Sequence, residues 1–332
     1  MTAKQPPIST HLGYFGTGAD RYNPAGYRKA DTALERLRLV APTPGLRGVE
    51  LNYPALVNEQ NVDVVQVVLA ETGLQVANVS LNVWGEGKWG LGSLSAPDAD
   101  VRAEALAVMQ RGMALTRRLG GRLVSLWPAQ DGFDYPFQVQ YGRQMDWFIG
   151  GLREAAAFDP DMRLCIEYKP KEPRAHLLAD SAARTLWLIG KVGAPNLGVL
   201  LDVGHAFNAY ENAAQSAVLL QREGVLDLVH FNDNDGAWDW DMVPGTVRWW
   251  ENLELAFWLR EMGYAGWWSI DIVMPRGDPV AACRASVGSI RRLWEWAGRL
   301  DREALLAGMD GSGQPANLQR VMEAVLGGCG HE

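Results

Sequence analysis

Short apolar runs rich in β-branched residues recur along the chain. Each is followed by a loop carrying Gly, Pro, Asn or Asp and then by a longer segment with apolar residues at helical spacing. The short runs read as buried strands and the longer ones as amphipathic helices, so the alternation predicts βα units around a parallel sheet. The predicted strands span 11–16, 47–52, 75–81, 122–127, 163–168, 196–202, 226–231 and 267–272. Between and after them the predicted helices span 32–40, 62–72, 98–119, 137–157, 181–192, 212–223, 251–262 and 280–298. The third helix carries the clearest end signals: Pro97 precedes it, Asp98 and Asp100 occupy its first turn, and Gly120-Gly121 follows its last. Eight strands, each with its helix, predict a (β/α)₈ TIM barrel over residues 1–300. A doubly wound open sheet is the alternative, but no Gly-x-Gly-x-x-Gly follows the first strand to support a dinucleotide fold. Residues 301–332, broken at Gly308, Gly311 and Gly313, predict a short C-terminal helical extension that packs on its own barrel or on a neighbouring subunit.

Composition narrows the partners. The formal charge of −8 and pI near 5.3, with no basic stripe, argue against nucleic acid and anionic membrane and favour a neutral ligand. The first residues lack the apolar core of a signal peptide and no run is long enough to span a bilayer, so a cytoplasmic location is expected. Cys165, Cys283 and Cys329 are odd in number and lack metal-type spacing, so reduced thiols are expected rather than a disulfide framework or zinc knuckle. The 14 Trp residues suit core, subunit interface, or walls against a sugar's C–H face.

The candidate chemistry lies at the strand ends, where a barrel of this kind builds its active site. Strand five ends in Glu167, strand six in Asp202, strand seven carries His230, and strand eight ends at Asp271. Three carboxylates brought together at a barrel mouth repel and lose hydration unless something positive lies between them, so these residues are expected to ring a divalent cation. Asp239 and Asp241 alternate about Trp240 and would point the same way in extended chain, sharing a second position with His205, three residues beyond Asp202. Oxygen-rich sites with imidazole suit Mn²⁺, Mg²⁺ or Co²⁺ better than thiolate-loving metals. Lys169, two residues past Glu167, would face the same pocket if the chain stays extended, and Trp127 at the end of strand four would form a flat wall.

At these residues the chain resembles the xylose isomerase-like barrels, and within them the xylose and L-rhamnose isomerases. Ile166-Glu167-Tyr168-Lys169-Pro170-Lys171-Glu172-Pro173 resembles their Glu-x-Lys-Pro-x-Glu-Pro, which implies a bridging metal ligand at Glu167 and a substrate-binding lysine at Lys169. Asp202 and His205 fall on the acid-x-x-His pair, Ala-Trp-Asp239-Trp-Asp241 on the second-metal segment, and Asp271 on the acid closing the first site. His230, in His-Phe-Asn-Asp, and the loop from Lys88 to Leu94 are closer to L-rhamnose isomerase. The resemblance departs at the histidine those isomerases carry early in the barrel, because no histidine lies between His11 and His176, and His11 is expected to fall outside the cluster.

The resemblance implies two metal sites and an aldose–ketose isomerase acting on a free sugar by hydride shift. A base-mediated enediol route through Asp271 or Glu167 remains open. Catalytic roles fall to Glu167, Lys169 and Asp271, and substrate contacts to Trp127, Lys169 and His205. A ketose 3-epimerase is the alternative, although it is expected to carry a longer Glu where this chain has Asp271. An abasic-site endonuclease would need more than five His and a basic face, and a non-catalytic sugar-binding barrel would not need the full ligand set. No phosphate-binding Gly-rich turn follows strands seven or eight, which favours a neutral sugar, and relatives suggest a homo-oligomer, dimer or tetramer.

Overall fold

The computed structural model describes residues 5–327, so Cys329 and the last residues of the predicted extension lie outside the described residues. Eight parallel strands close into one barrel in which each neighbours the next in sequence and the first pairs with the last: β1 (Ile8–His11), β2 (Leu46–Tyr53), β3 (Gln75–Leu81), β4 (Leu123–Leu126), β5 (Arg163–Glu167), β6 (Leu197–Asp202), β7 (Leu226–Phe231) and β8 (Trp267–Ile270). Closure removes the open doubly wound sheet as an alternative. The helices that follow successive strands are α1 (Ala33–Val40), α2 (Val62–Thr72), α3 (Ala99–Arg118), α4 (Tyr141–Phe158), α5 (Ala182–Val192), a short α6 (Val203–Asn208) with α7 (Ala213–Arg222), α8 (Trp249–Glu261) and α9 (Pro279–Arg299).

Local chemistry sets the helix starts. Thr32 and Glu35 form a reciprocal capping box before α1, and the Asp98 carboxylate accepts the Asp100 N–H at the start of α3. The first strand departs from expectation: it ends at His11, and Gly13–Phe15 forms a 3₁₀ turn where residues 11–16 were expected to be extended. That run reads as strand because Leu12 and Phe15 are fully buried, which reflects packing under the barrel mouth and not extension. The predicted fourth helix also starts late, since Phe137 is exposed at a left-handed φ of 64° and Gln140 supplies the cap. Two small elements lacked a sequence signal: α6, and an antiparallel pair, Gly132–Phe133 with His176–Leu177, joining the loops after β4 and β5.

The core is continuous from the barrel interior into the helix layer. Trp268 stacks on Phe231 at 4.8 Å and meets Trp294 edge-on at 5.6 Å. Gly112 lets α3 lie close on the sheet, because a Cβ there would stand 2.9 Å from the Tyr53 ring and closer still to Leu81. Gly112→Val is therefore expected to overpack this seam and cost about 1–3 kcal/mol, read as a lower urea midpoint. Beyond α9, α10 (Arg302–Ala307) and α11 (Gln314–Leu326) pack on their own barrel: Leu305 joins the core, and Val321 and Val325 pack partly against it. Among the described residues no helix is long and apolar enough to cross a membrane.

Candidate active site

Parallel register brings the ligand-type residues together. Asp202, the last residue of β6, pairs with His230 on β7, which in turn pairs with Ser269 on β8, two residues before Asp271. With Glu167 closing β5, these side chains converge: Glu167, Asp202, His230 and Asp271 each place one ligand atom within 4.8 Å of all the others. Asp202 is buried together with Glu167 and His230, while the Asp271 side chain remains 27% exposed at the mouth.

The state of His230 bears on what the cluster could hold. Its Nδ1 lies 3.1 Å from Asp271, 3.5 Å from Glu167 and 3.6 Å from Asp202, yet it is a buried nitrogen without a hydrogen-bond partner. Its Nε2 is 3.1 Å from both oxygens of Glu50, a fully buried acid on β2 that also accepts from Asn78 Nδ2 at 2.7 Å. An Nε2–H donated to Glu50 leaves an Nδ1 lone pair facing three carboxylates, the carboxylate–histidine arrangement that orients a metal ligand. The donor set thus fits a hard or borderline divalent cation. Without one, burial works to lower the His230 pKa, but Glu50 and Asp271 outweigh it and hold the ring well above the ordinary imidazole value. Burial would likewise raise the Glu50 carboxyl, but His230 and His11 hold it below the usual range. Glu50→Gln keeps the volume and loses the anionic acceptor, so metal affinity is expected to fall about 10- to 100-fold, measured by calorimetric titration with Mn²⁺.

A second group forms beside the first. Asp202, His205 and Asp239 also place ligand atoms within 4.8 Å of one another, so Asp202 belongs to both. Asp202 caps α6 by accepting the His205 N–H at 2.9 Å, which fixes the direction of that imidazole. His205 Nδ1 then lies 2.9 Å from the Tyr168 carbonyl, and Nε2 lies 3.1 Å from Asp239. Nδ1–H donation to the carbonyl leaves Nε2 free to ligate. Burial opposes charging His205, but Asp202 and Asp239 push its pKa up to about 9. Gly204 is required by close approach, since a Cβ there would stand 2.7 Å from Asn232 Oδ1 and 3.1 Å from Asp239.

Asp241 does not join this second group. A left-handed φ of 47° breaks the expected alternation, and its carboxylate accepts from Asn232 Nδ2 at 3.2 Å while lining the same cavity. Burial raises its pKa well above normal, and Asp239, Asp271 and Asp202 add to the effect, a crowding of acids that a cation would relieve. Asn232 also donates to both Asp202 oxygens and accepts the Gly204 N–H, tying β6, β7 and the acidic loop together.

Lys169 is buried and faces the pocket. Its Nζ lies 2.7 Å from Asp239, 2.9 Å from Glu172 and 5.1 Å from the centre of the Trp127 ring. Burial works against its charge, but Asp239, Glu172 and Asp241 prevail and raise its pKa. Trp127 meets Trp84 edge-on at 5.1 Å, and both line a cavity of about 580 Å³ with Asn52, Ser80, Asn82 and the acid cluster. The loop containing Lys88 and Leu94 is anchored beneath this wall by Asp131, a fully buried acid accepting the backbone and hydroxyl donors of Ser93 and Ser95.

His11, expected to lie outside the cluster, is in neither ligand group but stands at the edge of the first and lines the same cavity. With β1 ending at His11 its ring reaches the mouth, and Nδ1 stands 3.4 Å from Asp271 and 3.2 Å from the Gly13 N–H. The misplaced strand end concealed this. Glu50 was also missed, although an acid inside the apolar run Val49-Glu50-Leu51 was a readable signal, because a buried strand does not carry a lone carboxylate without a partner.

Fold and site together define a (β/α)₈ barrel whose strand carboxyl ends gather acids and imidazoles that could hold a metal ion. Residues 37–293 match the family described as Xylose isomerase-like TIM barrel, and the chain belongs to that family. A xylose isomerase of Brucella canis is 26% identical over 193 residues, covering 56% of this chain and 44% of the relative, so the chain spans under half the length of the curated relatives it matches. Among solved structures, a xylose isomerase domain protein from Alicyclobacillus acidocaldarius superposes with a TM-score of 0.66 at 21% identity, covering 88% of this chain and 99% of that one. An L-ribulose 3-epimerase superposes with a TM-score of 0.65 at 20% identity over 92% and 99% of the two chains. At these identities the structural likeness speaks for the fold.

Proposed function

We propose that the protein is a divalent-metal-dependent isomerase of free, unphosphorylated sugars, interconverting an aldose and a ketose in the manner of xylose and L-rhamnose isomerases. The observation that carries this reading is the pair of ligand groups sharing Asp202, with the Lys169 ammonium 2.7 Å from Asp239. Glu167, Asp202, His230 and Asp271 would hold one ion, and Asp202, His205 and Asp239, with Asp241 beside them, a second. When bound, such ions supply Lewis acidity toward a sugar's carbonyl and neighbouring hydroxyl oxygens.

The chain's own groups account for the rest. Lys169 donates to the carbonyl oxygen and offsets negative charge developing on it, as a charged donor in a buried site can. The faces of Trp127 and Trp84 receive the sugar's C–H surface and limit water at C1 and C2, which favours direct transfer of hydrogen between the two carbons. The base-mediated route would use Glu167 or Asp271 to take the C2 proton and return it at C1 while the O2 hydroxyl proton passes to O1, so that C1 is reduced to the alcohol and C2 oxidised to the ketone. A 3-epimerase needs two carboxylates reaching opposite faces of one carbon, and Asp271 is short and engaged by His11 and His230.

Incubation of Mn²⁺-loaded protein with a panel of aldoses and ketoses tests the proposal. Ketose formed from an aldose is the expected result, whereas ketoses converted only into their C3 epimers would replace this reading with the epimerase.

A further inference from the structure

The cavity wall built by the loop after β1 and by α1 differs in charge from the acid cluster. It carries two guanidinium groups, Arg28 and Arg36, and among the described residues neither lies within 4.0 Å of a carboxylate. Arg28 is spent on the backbone: Nε donates to Gly16 at 2.9 Å, Nη1 to Met274 at 2.6 Å and Gly277 at 3.0 Å, and Nη2 to the Tyr14 carbonyl. It fastens the loop after β1 to the loop after β8.

Arg36 is different. It is 9% exposed, its Nε donates to the Asp31 carbonyl at 2.8 Å, and one Nη1 hydrogen goes to the Leu12 carbonyl at 2.8 Å. The two hydrogens of Nη2 and the second of Nη1 have no acceptor among the described residues. Asp31 and Arg28 act on it only through space, in opposite directions, and burial dominates in lowering its pKa. Its stem and Nε side are buried, whereas the unused Nη edge opens onto the cavity, where an anionic group of a ligand would meet it.

The space in front of its unused edge is kept open by Gly16. Gly16 has φ −71° and ψ −160°, an extended conformation that any residue can adopt, so backbone geometry does not require glycine there. A Cβ would press on the Gly13 carbonyl at 3.2 Å and stand 3.6 Å from Arg36 Nη2. Both residues line the same cavity as the acid cluster.

We propose that Arg36 recognises a carboxylate at the end of the sugar remote from its carbonyl, making the substrate class an aldose acid of the hexuronate type. This rests on the isomerase reading of the site and deepens it. Paired N–H donors on one edge of a guanidinium match the two oxygens of a carboxylate. A phosphate dianion would call for more donors than this edge offers, and no Gly-rich turn adds them. The acidic composition of the chain favoured a neutral ligand as a whole, but the local wall accommodates one anionic group.

The test compares Mn²⁺-loaded wild type, Arg36→Lys and Arg36→Met on glucuronate and galacturonate, the corresponding neutral hexoses, and the corresponding hexose 6-phosphates. Wild type is expected to show the highest kcat/KM with a hexuronate. In Arg36→Met the ratio of kcat/KM for that hexuronate to the matching neutral hexose is expected to fall about 10- to 100-fold, with Arg36→Lys intermediate. If Arg36 only braced the loop, both sugars would suffer alike and the ratio would hold, which overturns the proposal. Preference for the 6-phosphate overturns the carboxylate assignment. Should Arg36→Met not fold, Gly16→Ala crowds the same edge and is expected to lower the same ratio. If no sugar is isomerised, the function proposed above fails while the subsite is judged by binding: a hexuronate-induced rise in Tm that Arg36→Lys diminishes supports it, and no rise overturns it.

Discussion

Asp202→Asn is expected to remove activity by about 10³-fold or more, the largest effect of any single change in the chain. Asp202 is the one residue common to both ligand groups, so its loss weakens both positions together. Asn preserves volume and caps a helix as well as Asp, so α6 keeps its start and His205 its direction. Metal-free stability should fall only modestly, because one Asn232 hydrogen bond and the charge beside His205 are lost while crowding with Asp241 is relieved. The variant should lose the increase in Tm that Mn²⁺ gives wild type, since only a bound ion stabilises the folded state by mass action. Loss of activity with a near-normal metal-free melt and no Mn²⁺ response is the expected signature, and a variant that melts far earlier without metal would point to a structural role instead.

Lys169→Met is expected to follow, with a fall in kcat of about 10²- to 10³-fold. The substitution keeps the stem that packs under Trp127 and deletes the ammonium between Asp239 and Glu172. Because Lys169 ligates nothing, the number of Mn²⁺ ions bound should be unchanged, and KM should move much less than kcat. Parallel changes in KM and kcat with reduced metal stoichiometry would mean that the lysine acts through the acids and not on the sugar. Together the two variants separate holding the ions from polarising the substrate.

Much of this site is legible from the sequence because it depends on a feature that sequence displays well. Glu167, Asp202 and His230 each lie at or near the end of an apolar run, and a parallel barrel converts strand-end position directly into convergence. What sequence conceals is what depends on backbone detail. His11 was misplaced because Leu12 and Phe15 look like strand residues when they are buried turn residues. Asp241 was paired with Asp239 by a period-2 argument; its left-handed φ turns it toward Asn232 and out of the second ligand group, although both acids line the same cavity. Glu50 comes from β2, 180 residues before His230, and only the closed barrel brings the two together.

The central claim is that acids and imidazoles from β5 to β8 and from the loop after β7 are assembled to hold divalent ions. Calorimetric titration of chelator-stripped protein with Mn²⁺, checked by elemental analysis of the saturated sample, tests it most directly. The account predicts two ions per chain, falling to one when Asp239 and Asp241 are both replaced by Asn. Stripped protein that takes up no Mn²⁺, Mg²⁺ or Co²⁺, or that binds them equally well after Glu167, Asp202 and His230 are replaced, would contradict it.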